Sequence, residues 1–265
     1  SPTTRPWLAT RLGTQTLQLY RQWQEIATFI GEILLALLAL FSGKRPFKSR
    51  DFFAFVESCG AESLPIVSLI AVLVGVILSF VGAVQLQMFG AQVYVANLVG
   101  LGMVLEMGAL MSGVIIAGRI GASYAAQLGT MQVNEEIDAL RTMGISPVGF
   151  LVLPRIMALT LAIPFLVILA DFMGIVGGGF VGVLMLDIPY AEYYRYTIDA
   201  LDMTNFLVGL FHGLVFGVVI SLCGCYFGIY CGRNADSVGK ATTQAVVTAI
   251  VWMIVMTGII TFIFE

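Results

Sequence analysis

Four long apolar runs limit the folds that this chain can adopt. Residues 64–86 and 246–264 carry no charged side chain, residues 206–230 carry only one neutral histidine, and residues 156–186 carry a single acid. A helix needs about 20 apolar residues to cross the hydrocarbon core of a bilayer, whereas strands of an outer-membrane barrel alternate apolar and polar residues. Because the runs are apolar on every face, the chain is predicted to be an all-α integral membrane protein.

Charge and cysteine content argue against several other classes. Only 11% of the 265 residues are charged, against about 25% in a soluble domain, and a net charge of −3 gives no basic surface for nucleic acid. Three of the four cysteines lie in or beside an apolar run, which argues against a secreted disulfide framework. Cys223 and Cys225 point to different faces of their predicted helix, so no metal site is predicted.

The first 50 residues are predicted to form an N-terminal region that precedes the membrane domain at 51–265. Residues 4–24 interleave Trp, Tyr and Leu with three arginines, a pattern typical of an interfacial helix; a linker in solution is the alternative. Residues 26–41 are apolar but short for a span, and they carry Glu32. We expect this segment to be re-entrant or to lie in the membrane plane without crossing.

The loops between the apolar runs predict five spans and their orientation. Basic residues tend to stay cytoplasmic. If the N-terminus is cytoplasmic and the C-terminus faces the other side, all 13 Lys and Arg residues except Arg195 lie on the cytoplasmic side. The predicted spans are 64–87, 98–118, 156–186, 204–230 and 245–264, with the largest cytoplasmic loop at 119–155.

No motif for catalysis or energy transduction is recognisable in the sequence. The chain has no phosphate-binding P-loop, no HExxH pair and no Ser–His–Asp arrangement. The largest predicted loop has no room for a catalytic domain. We therefore predict no enzymatic activity and no cofactor, and any uphill transport would need energy from another subunit.

The loop at 119–155 contains a predicted helix at residues 135–143. Asn134 is a favourable N-cap, and the two glutamates that follow it lie in the first turn, where the helix dipole favours acids. Gly144 suits the position after the helix, and Pro147 prevents its continuation. The helix is therefore predicted to be short and well terminated.

One side of this short helix is expected to pack against another surface. Ile137, Leu140 and Met143 line that side, while Asp138 and Arg141 are three residues apart and can pair. A helix this short is marginal in water on its own. The packing surface is either the ends of its own spans or a groove in a partner, and the residues leave both open.

The loop sequence resembles a known family signature. Residues 118–155 read GRIGASYAAQLGTMQVNEEIDALRTMGISPVGFLVLPR, which is similar to the permease signature of the MlaE (YrbE-like) family. The resemblance also includes YVANLVG at 94–100, LEMG at 105–108 and ATTQAVV at 241–247, and it extends from about residue 52 to the C-terminus.

Membership of that family would imply a permease subunit of an ABC transporter that moves phospholipids or related lipids. Such permeases lie in the bacterial inner membrane as homodimers. They work with a cytoplasmic ATPase dimer and with an MCE-domain protein that binds lipid in the periplasm. Some relatives carry a STAS-like domain before the membrane part, so a STAS-domain protein is a further implied partner.

The resemblance implies roles for two sets of residues. The helix at 134–143 would couple the permease to the ATPase, through Asn134, Glu135, Glu136, Ile137, Asp138, Leu140 and Arg141. The outer half of the first span would line a lipid cavity, through Leu78, Val81, Gln85 and Met88; packing against neighbouring helices is the alternative for these four residues.

Two acids lie inside predicted spans, where a charge is costly. For Glu106, a role in the transport pathway and a structural hydrogen bond are both open. The family usually has an arginine directly before this glutamate, but here the residue is Leu105, so no Arg–Glu pair is expected. Asp171 is expected to be structural, and His212 is expected to be a hydrogen-bonded packing residue.

Glycines recur every four residues in two predicted spans, at Gly174, Gly178 and Gly182, at Gly209, Gly213 and Gly217, and at Gly224, Gly228 and Gly232. This spacing predicts close packing of helices within the chain, with a dimer interface as the alternative.

Two other functions remain open from the residues alone. They are a stand-alone secondary transporter or channel, which would need an internal repeat or an ion-binding interior, and a membrane scaffold that transports nothing.

Overall fold

The computed structural model describes residues 8–41 and 49–264, and its regular elements in these ranges are helices. The start of the predicted interfacial helix (4–7) and the basic residues at 42–48 lie outside the described residues. The main helices are α1 (Leu8–Phe41), α2 (Ser49–Cys59), α3 (Leu64–Gln87), α4 (Val95–Gly102), α5 (Gly108–Ile116), α6 (Ala122–Val133), α7 (Glu136–Thr142), α8 (Leu153–Leu184), α9 (Tyr190–Ala200), α10 (Met203–Ile229) and α11 (Ala235–Phe264).

The predicted all-α membrane architecture is confirmed. Within the described ranges, six helical stretches are long and apolar enough to cross a membrane, and five of them overlap the five predicted spans. The sixth lies in α1. The stretches are Trp23–Leu40, Phe52–Gln87, Gln92–Val133, Val148–Leu184, Met203–Ile229 and Ala235–Phe264.

Helix α1 joins two segments that the sequence analysis separates. Residues 24–27 are Gln, Glu, Ile and Ala, which include no helix breaker, so the predicted interfacial helix and the predicted re-entrant segment form one uninterrupted helix. Phe29 is buried and contacts the rings of Tyr226 and Tyr230 at the end of α10, with centroids 5.6 and 6.1 Å away. The helix also packs against Val148–Val152, directly before α8. Residues 26–41 alone are short for a span, but Trp23–Leu40 within this helix is long and apolar enough to cross a membrane.

The predicted loop at 119–155 is mostly helical, which corrects the predicted end of the second span at residue 118. Helices α4, α5 and α6 follow one another without a break, joined by π-helical turns at Met103–Met107 and Ala117–Gly121. Helix α6 buries Tyr124 and Leu128 and packs against α10 and α11. Tertiary packing therefore extends the helix well beyond the apolar run from which the span was predicted.

Small residues bring the core helices into backbone contact. Gly75 of α3 lies against Gly174 of α8, and Gly217 of α10 lies against Thr160 of α8, so a Cβ atom at either position would overlap the neighbouring backbone. The glycine spacing therefore serves packing within the chain, which was the first of the two predicted roles. Further glycines of α10 that face the chain's own helices are Gly209, Gly213, Gly224 and Gly228.

Candidate functional site

The turn between α6 and α7 differs from the predicted helix start. Asn134 is not the N-cap of α7; it ends α6, and its N–H donates to the Thr130 carbonyl at 3.0 Å. Glu135 follows with φ of +60°, in the left-handed region that few non-glycine residues adopt. Helix α7 therefore begins at Glu136, and the Asn134 side chain donates to the Glu136 carboxylate at 3.3 Å instead of capping a backbone N–H.

The end of α7 confirms the predicted stop signal. Gly144 has φ of +73°, and its N–H donates to the Arg141 carbonyl at 3.0 Å. The N–H of Ile145 donates to the Leu140 carbonyl, also at 3.0 Å. These two bonds are those of a Schellman motif, in which a left-handed glycine ends the helix.

Helix α7 is attached to the chain by one side only. Ile137 is fully buried and Leu140 is partly buried, as predicted. Met143, in contrast, is 64% exposed, which corrects its predicted place on the packed side. Because α7 ends at Thr142, Met143 lies beyond the last helical turn and no longer follows the periodicity of the helix. The outward surface of α7 is formed by residues that are exposed in the single chain, Glu136, Ala139, Arg141 and Thr142.

Ion pairs connect α7 to the segment between α10 and α11. The Asp138 carboxylate accepts from Arg233 at 2.8 Å and from Arg141 at 3.4 Å. Arg233 also lies 4.0 Å from the Glu135 carboxylate. The Asp138–Arg141 pair was predicted, but Arg233 was not, because it is 95 residues away from its partner in the sequence. All of these groups are part-exposed, so each pair contributes at most about 1 kcal/mol.

A buried arginine holds the helix ends behind α7 together. Arg155 is only 6% exposed, and it donates to the Leu151 carbonyl at 2.8 Å and to the Gln127 side chain at 3.3 Å. Its guanidinium also lies 4.8 Å from the centre of the Phe55 ring and 5.7 Å from that of Tyr124, a distance at which cation–π attraction is favourable. The sequence places Arg155 only at the edge of a loop, and its spacing gives no sign of these partners.

The residues predicted to line a lipid cavity lie on the outer half of α3. Leu78 is part-buried against the core, whereas Val81, Gln85 and Met88 are exposed. The spacing of the last three places them along one side of this helix and its end. The single chain does not enclose them, so a cavity at this position would require a second surface.

The acids inside the spans have different surroundings. Glu106 lies in the π-helical turn Met103–Met107, is half-buried and accepts a hydrogen bond from the Thr261 hydroxyl of α11 at 3.1 Å. Asp171 is buried against Gly108, and one of its carboxylate oxygens has no hydrogen-bond partner among the described residues. His212 is buried, and its Nδ1 lies 3.0 Å from the Val208 carbonyl.

Comparison with known proteins gives one family. The family model described as Permease MlaE matches residues 52–263. A probable ABC transporter permease protein of Rickettsia conorii is 38% identical over 205 residues, which cover 77% of this chain and 79% of that protein. A probable ABC transporter permease protein of Rickettsia bellii is 37% identical over 261 residues, 97% of each chain.

A plant relative is more distant. Protein TRIGALACTOSYLDIACYLGLYCEROL 1, chloroplastic, of Arabidopsis thaliana is 29% identical over 225 residues, which cover 83% of this chain and 62% of that protein.

Proposed function

Because this chain belongs to the MlaE family and is the permease of an ABC transporter, we propose that it moves phospholipids or related lipids. The proposed route runs between the bacterial inner membrane and a periplasmic MCE-domain protein. A separate cytoplasmic ATPase dimer supplies the energy. Residues 51–265 form the transporting domain in this proposal, and residues 1–50 form an N-terminal region at the membrane surface.

The proposed role of α7 is to couple the permease to the ATPase. The observation that carries this role is the one-sided attachment of the helix: Ile137 anchors it, while Glu136, Arg141 and Met143 remain exposed. A short helix presented in this way suits docking into a groove. Movement of the ATPase subunits would then be transmitted through α7 to α6 and α8, between which it lies.

A lipid substrate is supported by the character of the surface. Apolar side chains along the outer half of α3, including Val81 and Met88, are exposed in the single chain. Apolar surface with one amide, that of Gln85, suits acyl chains, and methionine adapts to irregular ligands. The name of the Arabidopsis relative contains that of a diacylglycerol lipid, which agrees with this class of substrate.

A homodimer would supply the second surface that the cavity needs. In this proposal, two copies face each other across the first and fifth spans and enclose lipid between them, with the cavity open to the periplasm. The N-terminus and α7 lie on the cytoplasmic side, and α9, with its acidic residues, lies on the periplasmic side.

The proposal is tested by charging the outward surface of α7. Met143→Arg should abolish or greatly weaken co-purification with the cognate ATPase, because the new charge meets the groove while the exposed site leaves the fold intact. Met185→Arg is the matched control, since Met185 is equally exposed, at 61%, but lies after α8 at the other end of that helix.

Lipid-stimulated ATP hydrolysis by the reconstituted complex is the second readout. If Met143→Arg leaves ATPase binding and lipid stimulation at the control level, the coupling role of α7 is wrong. If no ATPase binds the wild-type chain and purified chain alone transports in vesicles, the secondary-transporter alternative replaces the proposal.

A further inference from the structure

A polar pocket lies between α1, the end of α7 and the end of α10. Its volume is about 370 Å³, within the range of small-molecule sites. Glu32 of α1 and Arg141 of α7 both line it, together with Tyr230 and the turn at Gly144–Val148. A pocket that combines an acid and a base suits a ligand that carries both charges.

In the described part of the chain, the acid in this pocket lacks a partner. Glu32 makes no ion pair or hydrogen bond within residues 8–41 and 49–264. It is the single charged residue between Ile26 and Phe41 of α1. A carboxylate in such surroundings is stabilised by a nearby cation. Arg141 is the base that lines the same pocket, but the two are not within ion-pair distance, which leaves room for a group between them.

Two donors for an anion, Arg141 and Tyr230, also line the pocket. Among the described residues, Arg141 makes a hydrogen bond only through Nη1, to Asp138, so its remaining N–H groups are free to bind an anion. Burial raises the pKa of the Tyr230 phenol, with the charges of Glu32 and Glu25 adding to the effect and that of Arg141 opposing it. Tyr230 therefore keeps its proton at neutral pH, and its hydroxyl can donate a hydrogen bond to an acceptor.

The surroundings of the pocket belong to a membrane surface. Leu34 and Leu35 on α1 are exposed next to Glu32, and Ile145 is exposed at the pocket itself. Exposed Tyr20 and Trp23 lie about three to four turns before them on α1, and such side chains are enriched at the headgroup level of a bilayer. A ligand here can place a charged group in the pocket and apolar chains along α1.

We propose that this pocket binds the headgroup of a zwitterionic phospholipid with a primary amine. The phosphate accepts hydrogen bonds from Arg141 and Tyr230, and the ammonium group donates to Glu32. The site is separate from the proposed transport cavity on the outer half of α3, and it goes beyond the proposed function because it does not require the transported substrate to be the same lipid. A lipid bound here would contact α1 and the end of α7 at once.

The first experiment locates the lipid. The full chain with its ATPase is placed in nanodiscs of equal amounts of phosphatidylethanolamine and phosphatidylglycerol, with Ile145→benzoylphenylalanine as a photoreactive probe. Mass spectrometry then identifies the adduct. We expect phosphatidylethanolamine adducts to dominate, whereas a probe at Phe180, an exposed residue of α8, should label both lipids equally. Equal labelling at Ile145, or an adduct with the ATPase alone, would overturn the proposal.

The second experiment tests the acid with a matched control. Glu32→Gln should lower the preference for phosphatidylethanolamine at the Ile145 probe about tenfold, the effect of one charge-assisted hydrogen bond. Glu57→Gln makes the same chemical change at an exposed residue of α2 outside the pocket, and it should leave the preference unchanged. An equal response of the two variants would overturn the assignment of Glu32.

Soluble phosphoethanolamine separates a lipid from a free phosphate compound. It is added at millimolar concentration before irradiation. If the yield of the phosphatidylethanolamine adduct is unchanged, the lipid assignment stands. If the yield falls as far as it does with the same concentration of added phosphatidylethanolamine, the site takes a soluble ligand and the lipid assignment fails. ATPase co-purification, measured on the same samples, reports on the proposed function independently of these adducts.

Discussion

Two short helices connect spans at opposite ends of the bundle, and they are attached in different ways. Helix α9 is held by Tyr193, which is 4% exposed, lies against the glycines of α8 and donates to the Ile175 carbonyl at 3.1 Å. Helix α7 is held by one buried isoleucine and by part-exposed ion pairs to Arg233.

The difference indicates different mechanical roles. A buried aromatic side chain with a satisfied hydroxyl fixes α9 in one position relative to α8. Exposed ion pairs hold α7 only weakly and can exchange partners at small cost. In our account, α9 is a fixed part of the permease, whereas α7 is free to follow a partner.

The largest expected effect comes from the anchor of α9. Tyr193→Ala should lower the free energy of unfolding by about 3 kcal/mol or more, because it removes a buried aromatic ring from a site that cannot collapse around it. Denaturant titration in detergent measures this change. Tyr194→Ala is the control, since Tyr194 is exposed, and its effect should stay within about 0.5 kcal/mol. Equal effects of the two variants would show that α9 is not anchored through Tyr193.

A smaller global effect is expected from the anchor of α7. Ile137→Ala should cost about 2 kcal/mol, the low end for a buried isoleucine, because the neighbouring helix ends can adjust. It should also speed hydrogen exchange of Glu136–Thr142 and lower lipid-stimulated ATP hydrolysis. Met143→Ala changes an exposed residue and serves as the control for exchange within α7. A loss of stability without faster exchange in α7 would contradict the assigned anchor.

The smallest effect on stability is expected from the ion pairs. Arg233→Gln should change the free energy of unfolding by less than about 1 kcal/mol, yet it should speed hydrogen exchange in α7. Raising the ionic strength should reproduce part of this effect in the wild-type chain. Arg195→Gln removes an exposed pair with Asp199 on α9 and should leave exchange in α7 unchanged. Exchange that does not respond to Arg233→Gln would mean that the pairs do not restrain α7.

The same two regions show how far sequence reasoning reaches. The apolar runs predict the five spans, and Gly144 predicts the end of α7, because both depend on local composition. The start of α7 was wrong, since the left-handed Glu135 depends on how α6 and α7 pack and not on the capping preference of Asn134. The extent of α6 and the partners of Arg155 and Arg233 depend on contacts between distant segments, which periodicity does not report.

The central claim is that α7, and not α9, is the element through which the ATPase acts. Hydrogen exchange of the permease in nanodiscs, measured with and without the bound ATPase, tests it most directly. We predict that the amides of Glu136–Thr142 become protected when the ATPase binds, while those of Tyr190–Ala200 do not change. Unchanged exchange in α7, or equal protection of both helices, would contradict the account.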